Sequence, residues 1–349
     1  MNKVLTAMSG GVDSSAAALL VRDRGCEAVG ATMRLIDTMK ESDIADARSV
    51  CERLGLKHYV FDMREEFARE VLRRFADAYL GGETPNPCII CNQYIKFGEL
   101  ARRAAELGCD KIATGHYVSV RFDSGSGRWL LVRARDRAKD QSYFLYRLSQ
   151  AQLSSVLFPV GELTKAEVRE LAAANGMATS RKGDSQDICF VPDGNYAGFL
   201  ERYLGRKFEQ GDFLDLDGRV IGRHNGAARY TIGQRKGLGM GFGRPMYVCG
   251  KDMSRNTVTL GGNDRLFSRR VIVSDINLIA AQRIDRPLRV TAKLRYSQRE
   301  EYALLEQTGE NEFTLTFDRP QRAAAPGQAA VCYDGECVLC GGSIVRSVD

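Results

Sequence analysis

The sequence predicts an α/β N-terminal domain, a parallel sheet with helices on both faces, followed by a small central domain and a C-terminal β-barrel. Three observations carry this. A strand-like apolar run, Val4 to Met8, passes through adjacent glycines into an alanine- and leucine-rich run from Ser14 to Val21. Strand and helix patterns then alternate as far as Thr114, which implies parallel strands joined by crossover helices. Beyond about residue 205, helical periodicity gives way to short β-like runs punctuated by glycine. The expected domains are 1–204, 205–269 and 270–349.

Taken in order, Glu27 to Arg34 has the β-branched apolar character of a second buried strand. Asp43 to Leu54 places Ile44, Ala47, Val50 and Leu54 at helical spacing, and Lys57 to Asp62 reads as a short strand. Glu65 to Leu80 is a longer amphipathic helix, and Gly98 to Leu107 is another that leads into the strand Lys111 to Thr114. Between these helices, Thr84-Pro85-Asn86-Pro87-Cys88-Ile89-Ile90-Cys91-Asn92 carries two prolines and two asparagines and reads as a shaped loop holding two thiols. Tyr117 to Ala134 alternates about a Ser-Gly turn, as an exposed peripheral hairpin would. Thr164 with Glu167 forms a capping-box start, and Gly176 stops that helix. From Arg269 onward, alternating runs such as Arg289 to Tyr296 and Glu312 to Phe317 suggest a small closed barrel.

The stretch Ser9-Gly10-Gly11-Val12-Asp13-Ser14-Ser15, following Ala7 and Met8, is the first candidate for chemistry. Its glycines let the backbone turn and approach a ligand, and the helix that follows offers unpaired N–H groups to an anion. Asp13 is placed to cap that helix, with Ser14 and Ser15 as hydroxyl donors. The Gly-Lys-Ser/Thr ending of one common phosphate loop and the three spaced glycines of another are both missing. The stretch instead resembles the pyrophosphatase-type loop of enzymes that cut ATP between its α and β phosphates. In a parallel sheet the loops at the carboxyl ends of the strands converge, so Ser9, Met33 and Gly115 should meet, with Met33 beside an adenine ring.

With 349 residues, 44% hydrophobic and 27% charged, the composition is that of a globular chain with room for several cores. No apolar run reaches membrane-span length, and Met1-Asn2-Lys3-Val4 leads straight into a strand, so a cytoplasmic protein with no membrane partner is expected. A net charge of +6 leaves room for an anionic partner without requiring one. Ten cysteines in such a chain read as thiols, ligands or nucleophiles rather than disulfide staples. Cys88, Cys91 and Cys189 stand out because they lie in irregular polar segments, with Lys96, Arg181 and Lys182 as cations able to lower a thiol pKa. Cys332, Cys337 and Cys340 have ferredoxin-like spacing, but Asp334-Gly335 signals a hairpin and the flanks alternate as strands, so a strand role is expected.

Together these motifs resemble the bacterial tRNA-specific 2-thiouridylase family from end to end. The resemblance is carried by Ser9 to Ser15, Thr84 to Pro87 through Cys91-Asn92, Ile95-Lys96-Phe97 and Ala113-Thr114-Gly115-His116-Tyr117. It continues through Lys139 to Leu145, Asp184-Ser185-Gln186 with Ile188-Cys189-Phe190, Thr231 to Gly239, Arg295-Tyr296 and Pro326-Gly327-Gln328-Ala329. It implies an adenine nucleotide alpha-hydrolase-like N-terminal domain and ATP-dependent 2-thiolation of the wobble uridine of tRNA, through an adenylated uracil. ATP, with Mg2+, would lie on Ala7 to Ser15 with Met33 and Gly115 beside it. Cys189 would carry a persulfide, Cys91 would be the nucleophile, and a transient Cys91–Cys189 disulfide would follow. Asn86, Pro87 and Cys88 would meet the target base, while His116, Lys139, Asp140, Gln141, Arg295, Tyr296 and Gln328 would contact tRNA. A cysteine desulfurase or relay protein would donate the sulfur. Many members carry Asp where this chain has Cys88, so Cys88, Cys91 and Cys189 also admit an iron–sulfur cluster as in related cluster-dependent tRNA thiolases. The remaining alternative is another adenylating ligase of the same loop class.

Overall fold

The computed structural model describes residues 3–181 and 188–348. The first domain contains strands β1 (Lys3–Ala7), β2 (Glu27–Arg34), β3 (Lys57–Asp62), β4 (Lys111–Ala113), β5 (Val118–Asp123), β6 (Arg128–Arg133) and β7 (Val156–Leu157). Its helices are α1 (Val12–Asp23), α2 (Glu41–Arg53), α3 (64–80), α4 (87–106), α5 (Gln150–Ser154), α6 (Lys165–Ala174) and α7 (Tyr196–Leu204). Five strands form a sheet in the order β3-β2-β1-β4-β7, every pairing parallel. Leu5, Val29, Ala31 and Ile112 pack under α3 and α4, whereas Met8 joins α1, α2 and α6 in a second core. Because both faces are covered, the strands are near-continuous apolar runs, and the loops at their carboxyl ends are left to bind.

The shaped-loop reading of 84–92 is corrected by the structure. Pro87 occupies the first position of α4 and Asn86 caps it, its side-chain oxygen accepting from the Cys88 N–H at 3.1 Å. Proline is tolerated there because that N–H has no helical partner anyway, so the residues that suggested a break are a helix start. Through Cys91–Glu99 the helix widens to π-type turns, a geometry found most often at functional sites. The helices at 64–80 and Lys165–Ala174 form as expected, the latter with both bonds of the Thr164–Glu167 capping box.

The hairpin of β5 and β6 is not peripheral. Val132 pairs with Cys337 of the last strand, and Val118 and Leu131 are buried with Tyr333 and Val338 of the C-terminal domain. Its alternating face is apolar because it covers the barrel.

The central domain is a four-stranded sheet of β8 (Gly211–Leu214), β9 (Val220–His224), β10 (Tyr247–Asp252) and β11 (Thr257–Gly261), in the order β10-β11-β8-β9. The last domain is built from β12 (Phe267–Leu278), β13 (Leu288–Lys293), β14 (Glu301–Gly309), β15 (Glu312–Arg322), β16 (Ala329–Asp334) and β17 (Cys337–Val348). Pairing of β12 with both β15 and β17 closes the barrel. Cys332 and Cys340 face each other across β16 and β17, which is the strand role expected of them. Among the described residues, no helix is long and apolar enough to cross a membrane.

Candidate active site

Ala7, Met8, Ser9, Asp13 and Ser14 line a cavity of about 190 Å³ together with Met33, Lys96, Thr114, Gly115, His116 and Gln141. The convergence of the Ser9, Met33 and Gly115 loops is thus present. Gly10 turns the loop at φ +71°, and a Cβ there would lie 2.4 Å from the Asp43 carbonyl oxygen. Gly115 presses on the loop from the other side, where a Cβ would lie 2.6 Å from the Asp13 carbonyl carbon and 2.7 Å from the Ser14 nitrogen. Only glycine fits at such a distance, so the cradle is shaped by two glycine turns packed directly on the backbone of α1 and α2.

Asp13 does not cap α1. Gly11 is the N-cap and no side chain caps it. The Asp13 carboxylate instead takes both its oxygens to the Lys165 ammonium, at 2.7 and 2.8 Å, and accepts from the Tyr117 hydroxyl at 2.8 Å. A charge-assisted contact with two oxygens outcompetes a single cap bond. Ser14 and Ser15 also turn inward, each hydroxyl donating to the Gly11 carbonyl at 3.0 and 2.8 Å, which stiffens the turn. Lys165 was not legible as part of the site: it sits inside a capping box, and nothing local links it to Asp13.

On the far side of the cavity, Lys96 projects from the widened turns of α4. Its Nζ lies 3.5 Å from His116 Nε2, and His116 Nδ1 lies 2.7 Å from Thr114 Oγ1. Burial and the Lys96 charge hold the His116 pKa well below its ordinary value, so the ring is neutral. An ammonium has no lone pair, so it donates to Nε2; the ring proton therefore resides on Nδ1 and is given to Thr114. No carboxylate among the described residues lies within ion-pair distance of Lys96, leaving this cation to face the cavity and the thiols.

Cys88 and Cys189 are exposed, whereas Cys91 is 9% exposed and packs with Ile95 and Phe190 in the first core. Burial pushes the Cys91 thiol up to about 12, opposed by Lys96. Loss of hydration in the cleft also raises Cys88 and Cys189, and Lys96 again pulls both down. The three thiols feel one another's charge and share one lysine. Arg181, as a side chain, and Lys182 and Asp184-Ser185-Gln186 lie outside the described residues.

Family models match almost the whole chain: a tRNA methyl transferase HUP domain at residues 2–193, a tRNA methyl transferase PRC-barrel domain at 197–262 and an aminomethyltransferase beta-barrel domain at 268–344. The tRNA-specific 2-thiouridylase MnmA of Clostridioides difficile (strain 630) is 44% identical over 356 residues, covering 99% of each chain. That of Lachnoclostridium phytofermentans is 43% identical over 358 residues, covering 99% of this chain and 100% of its own. The chain belongs to the tRNA-specific 2-thiouridylase family. Among solved structures, a 4-thiouridine synthetase–RNA complex with bound ATP aligns at TM-score 0.38 and 18% identity, over 58% of this chain and 50% of its own.

In this 2-thiouridylase-family chain the residues expected to touch RNA fall into two groups. Gln141 lines the cavity while its side-chain oxygen accepts from the Tyr117 N–H at 2.9 Å, and Tyr296 is 38% exposed, its ring 4.4 Å from that of Phe144, as a stacking platform would be. Others are engaged within the protein. Asp140 accepts from the Ala134 N–H and the Ser142 hydroxyl, Arg295 donates to the Ala323 carbonyl at 2.6 Å, and Gln328 donates to the Thr84 carbonyl at 2.7 Å. Lys139 sits beside Asp140 in the same turn, where its backbone N–H donates to Asp136. Thr84 also donates its backbone N–H to Pro326, and its hydroxyl meets Thr231 at 3.3 Å. Both later domains therefore grip the segment that delivers Asn86, Pro87 and Cys88. A larger cleft of about 560 Å³ between hairpin and barrel is lined by charges of both signs, including the Arg133–Glu300 ion pair.

Proposed function

We propose that this chain is an ATP-dependent tRNA-uridine 2-sulfurtransferase acting on the wobble uridine. The observation that carries the reading is the joining of a glycine-shaped cavity to a pair of exposed thiols by Lys96, which no carboxylate of the described residues neutralises. A carbonyl oxygen cannot leave as oxide. Attack of the uracil O2 on the ATP α-phosphate makes it part of AMP, with pyrophosphate departing, and leaves C2 electrophilic. The turn at Gly10 and Gly11, its amides and the start of α1 receive the phosphates. Magnesium, when bound, neutralises phosphate charge, and Asp13 is the carboxylate of the cavity lining that could meet it. His116, neutral and fixed by Thr114, holds Lys96 in place; Tyr296 and Gln141 are placed to receive an unstacked base.

Cys189 then carries the sulfur as a persulfide supplied by a cysteine desulfurase or relay protein. A second thiol from the 88–91 turn frees that sulfur, a role the family resemblance gives to Cys91. The cluster route finds less support. Among the described residues no three Cys, His, Asp or Glu side chains meet as a metal site, and the Cys91 thiol is turned into the core.

The test is tRNA-dependent pyrophosphate release together with thiolated uridine in digested tRNA. Wild type should give both; Cys189→Ser should give pyrophosphate without thiolation. Sulfur incorporation by Cys189→Ser, or pyrophosphate release indifferent to tRNA, would sink the reading.

A further inference from the structure

We propose that Lys165 is a phosphate ligand of the nucleotide site, stored on the Asp13 carboxylate until a divalent cation takes that carboxylate over. This rests on the sulfurtransferase reading above, in which ATP with magnesium occupies the cavity.

The cavity sets an electrostatic problem. Among the described residues that line it, Asp13 is the carboxylate and Lys96 the ammonium. Asp13 stands in the first turn of α1, where the N–H groups draw a phosphate in, so a bare carboxylate there would push the same phosphate away. Lys96 lies on the side that faces the thiols, where the uracil O2 must meet the α-phosphate. Compensation on the loop side comes from behind the lining: Lys165 of α6 places its Nζ 2.7 and 2.8 Å from the two Asp13 oxygens.

The anchor of this lysine is rigid and its head is not. Lys165 follows the capping residue Thr164 as the first residue of α6, and its backbone N–H donates to Asp136 at 2.9 Å. Val168 and Ala172 of α6 are buried with Ala16, Ala17 and Leu19 of α1. Beyond the helix, Thr179 Oγ1 lies 3.1 Å from Ser15 Oγ, which ties the chain after α6 to the same helix. From that fixed point a four-carbon stem carries a compact ammonium with three donors to the phosphate loop. Asp13 is held separately. Tyr117 donates to it at 2.8 Å, and Gly115, two residues earlier, presses on the same turn. Rotation of the lysine stem is therefore the motion open to the pair.

An exchange of partners follows. Asp13 cannot give the same two oxygens to both a magnesium ion and Lys165, because the two cations repel each other. When ATP arrives with its metal, Asp13 turns to the metal and Lys165 takes phosphate oxygens in place of carboxylate ones. A charge-assisted contact is thus replaced by another of the same kind. The position of Lys165 at the head of α1, across the cavity from Lys96 and the thiols, assigns it to the pyrophosphate end, where negative charge gathers as the α–β bond breaks. The step exchanges ion pairs alone, with no bond made to the protein.

The test is calorimetric titration of the full chain without tRNA, using ATP in excess EDTA and AMP as probes. Lys165→Met alone cannot decide the matter, because it leaves the Asp13 charge facing the cavity while it removes the lysine. Asp13→Asn takes the carboxylate away and releases Lys165 from it. This variant should bind metal-free ATP about tenfold more tightly than the double variant that adds Lys165→Met. Since neither protein carries the carboxylate, the difference reports on the lysine. AMP lacks the pyrophosphate end, so the two variants should bind it within about twofold of each other. Thermal melting checks the fold, and Lys165→Gln in the same Asp13→Asn background repeats the comparison with a second neutral side chain. Equal affinities of the single and double variants for metal-free ATP, or a lysine-dependent gain as large for AMP, overturn the proposal. A wild type that binds ATP neither with magnesium nor without it would instead refute the sulfurtransferase reading itself.

Discussion

Replacing Gly115 with Ala isolates the shape of the nucleotide cradle. The added methyl would sit 2.6 Å from the Asp13 carbonyl carbon and 2.7 Å from the Ser14 nitrogen, against 3.4 Å or more for an ordinary contact. One backbone must therefore move by roughly 0.8 Å, the difference between 3.4 and 2.6 Å. Both neighbours are main-chain atoms at the head of α1, so no side chain can swing aside, and the displaced backbone is the one meant to hold phosphate. Overpacking of this kind costs about 1–3 kcal/mol, which is about a 5- to 150-fold loss of ATP affinity if the loop must be restored for binding. Calorimetric titration with ATP and magnesium measures it, with thermal melting as the check on folding. Gly125→Ala in the β5–β6 turn is the control, because the nearest atom to its added Cβ is 3.7 Å away. ATP affinity within twofold of wild type in a folded Gly115→Ala protein would refute the assignment of Gly115 to the cradle.

Three further outcomes are expected. Iodoacetamide at pH 8 should label Cys88 and Cys189 while Cys91 stays silent until the protein is denatured: a thiol held at about 12 is ionised to about one part in ten thousand at that pH. Lys96→Met should move the alkylation profiles of Cys88 and Cys189 to higher pH, because Lys96 lowers both, and Lys96→Arg should restore them; unchanged profiles would remove Lys96 from the thiol site. Glu300 is held down to about 2, first by its hydrogen bonds with Arg133. A depressed carboxylate stabilises the fold above its ordinary pKa and loses that effect as pH falls toward 2. Because Glu300 is a third exposed, screening leaves about 1–2 kcal/mol of this. The urea midpoints of wild type and Glu300→Gln should therefore differ at pH 6, draw together below pH 4.5 and converge only near pH 2.

Much of the fold was legible because its signals are local. Apolar runs of β-branched residues, helical spacing in Ile44, Ala47 and Val50, and the Thr164–Glu167 box each depend on a few neighbouring residues, and each formed as read. What escaped was decided at long range or by position within an element. The β5–β6 alternation was visible, yet its burial depends on Cys337, some two hundred residues away. Asp13 had a plausible local partner in its own helix, and lost it to Lys165, 152 positions later.

The segment around Cys88 shows the same limit most sharply. Proline and asparagine counted as breakers, although Asn86 followed by Pro87 is also how a helix begins. Once the segment is helical, Cys88 and Cys91 sit three residues apart, a spacing that invites a shared role as paired ligands or interchangeable nucleophiles. Burial divides them. Ile95, Phe190 and Cys91 close the core, while the cap at Asn86 and the grip of Gln328 and Pro326 on Thr84 hold Cys88 outside it. The two later domains thus act on the thiol segment itself. By fixing the backbone immediately before α4 they set where Cys88 stands relative to Cys189, so a change in their docking would be felt first at the exposed thiols.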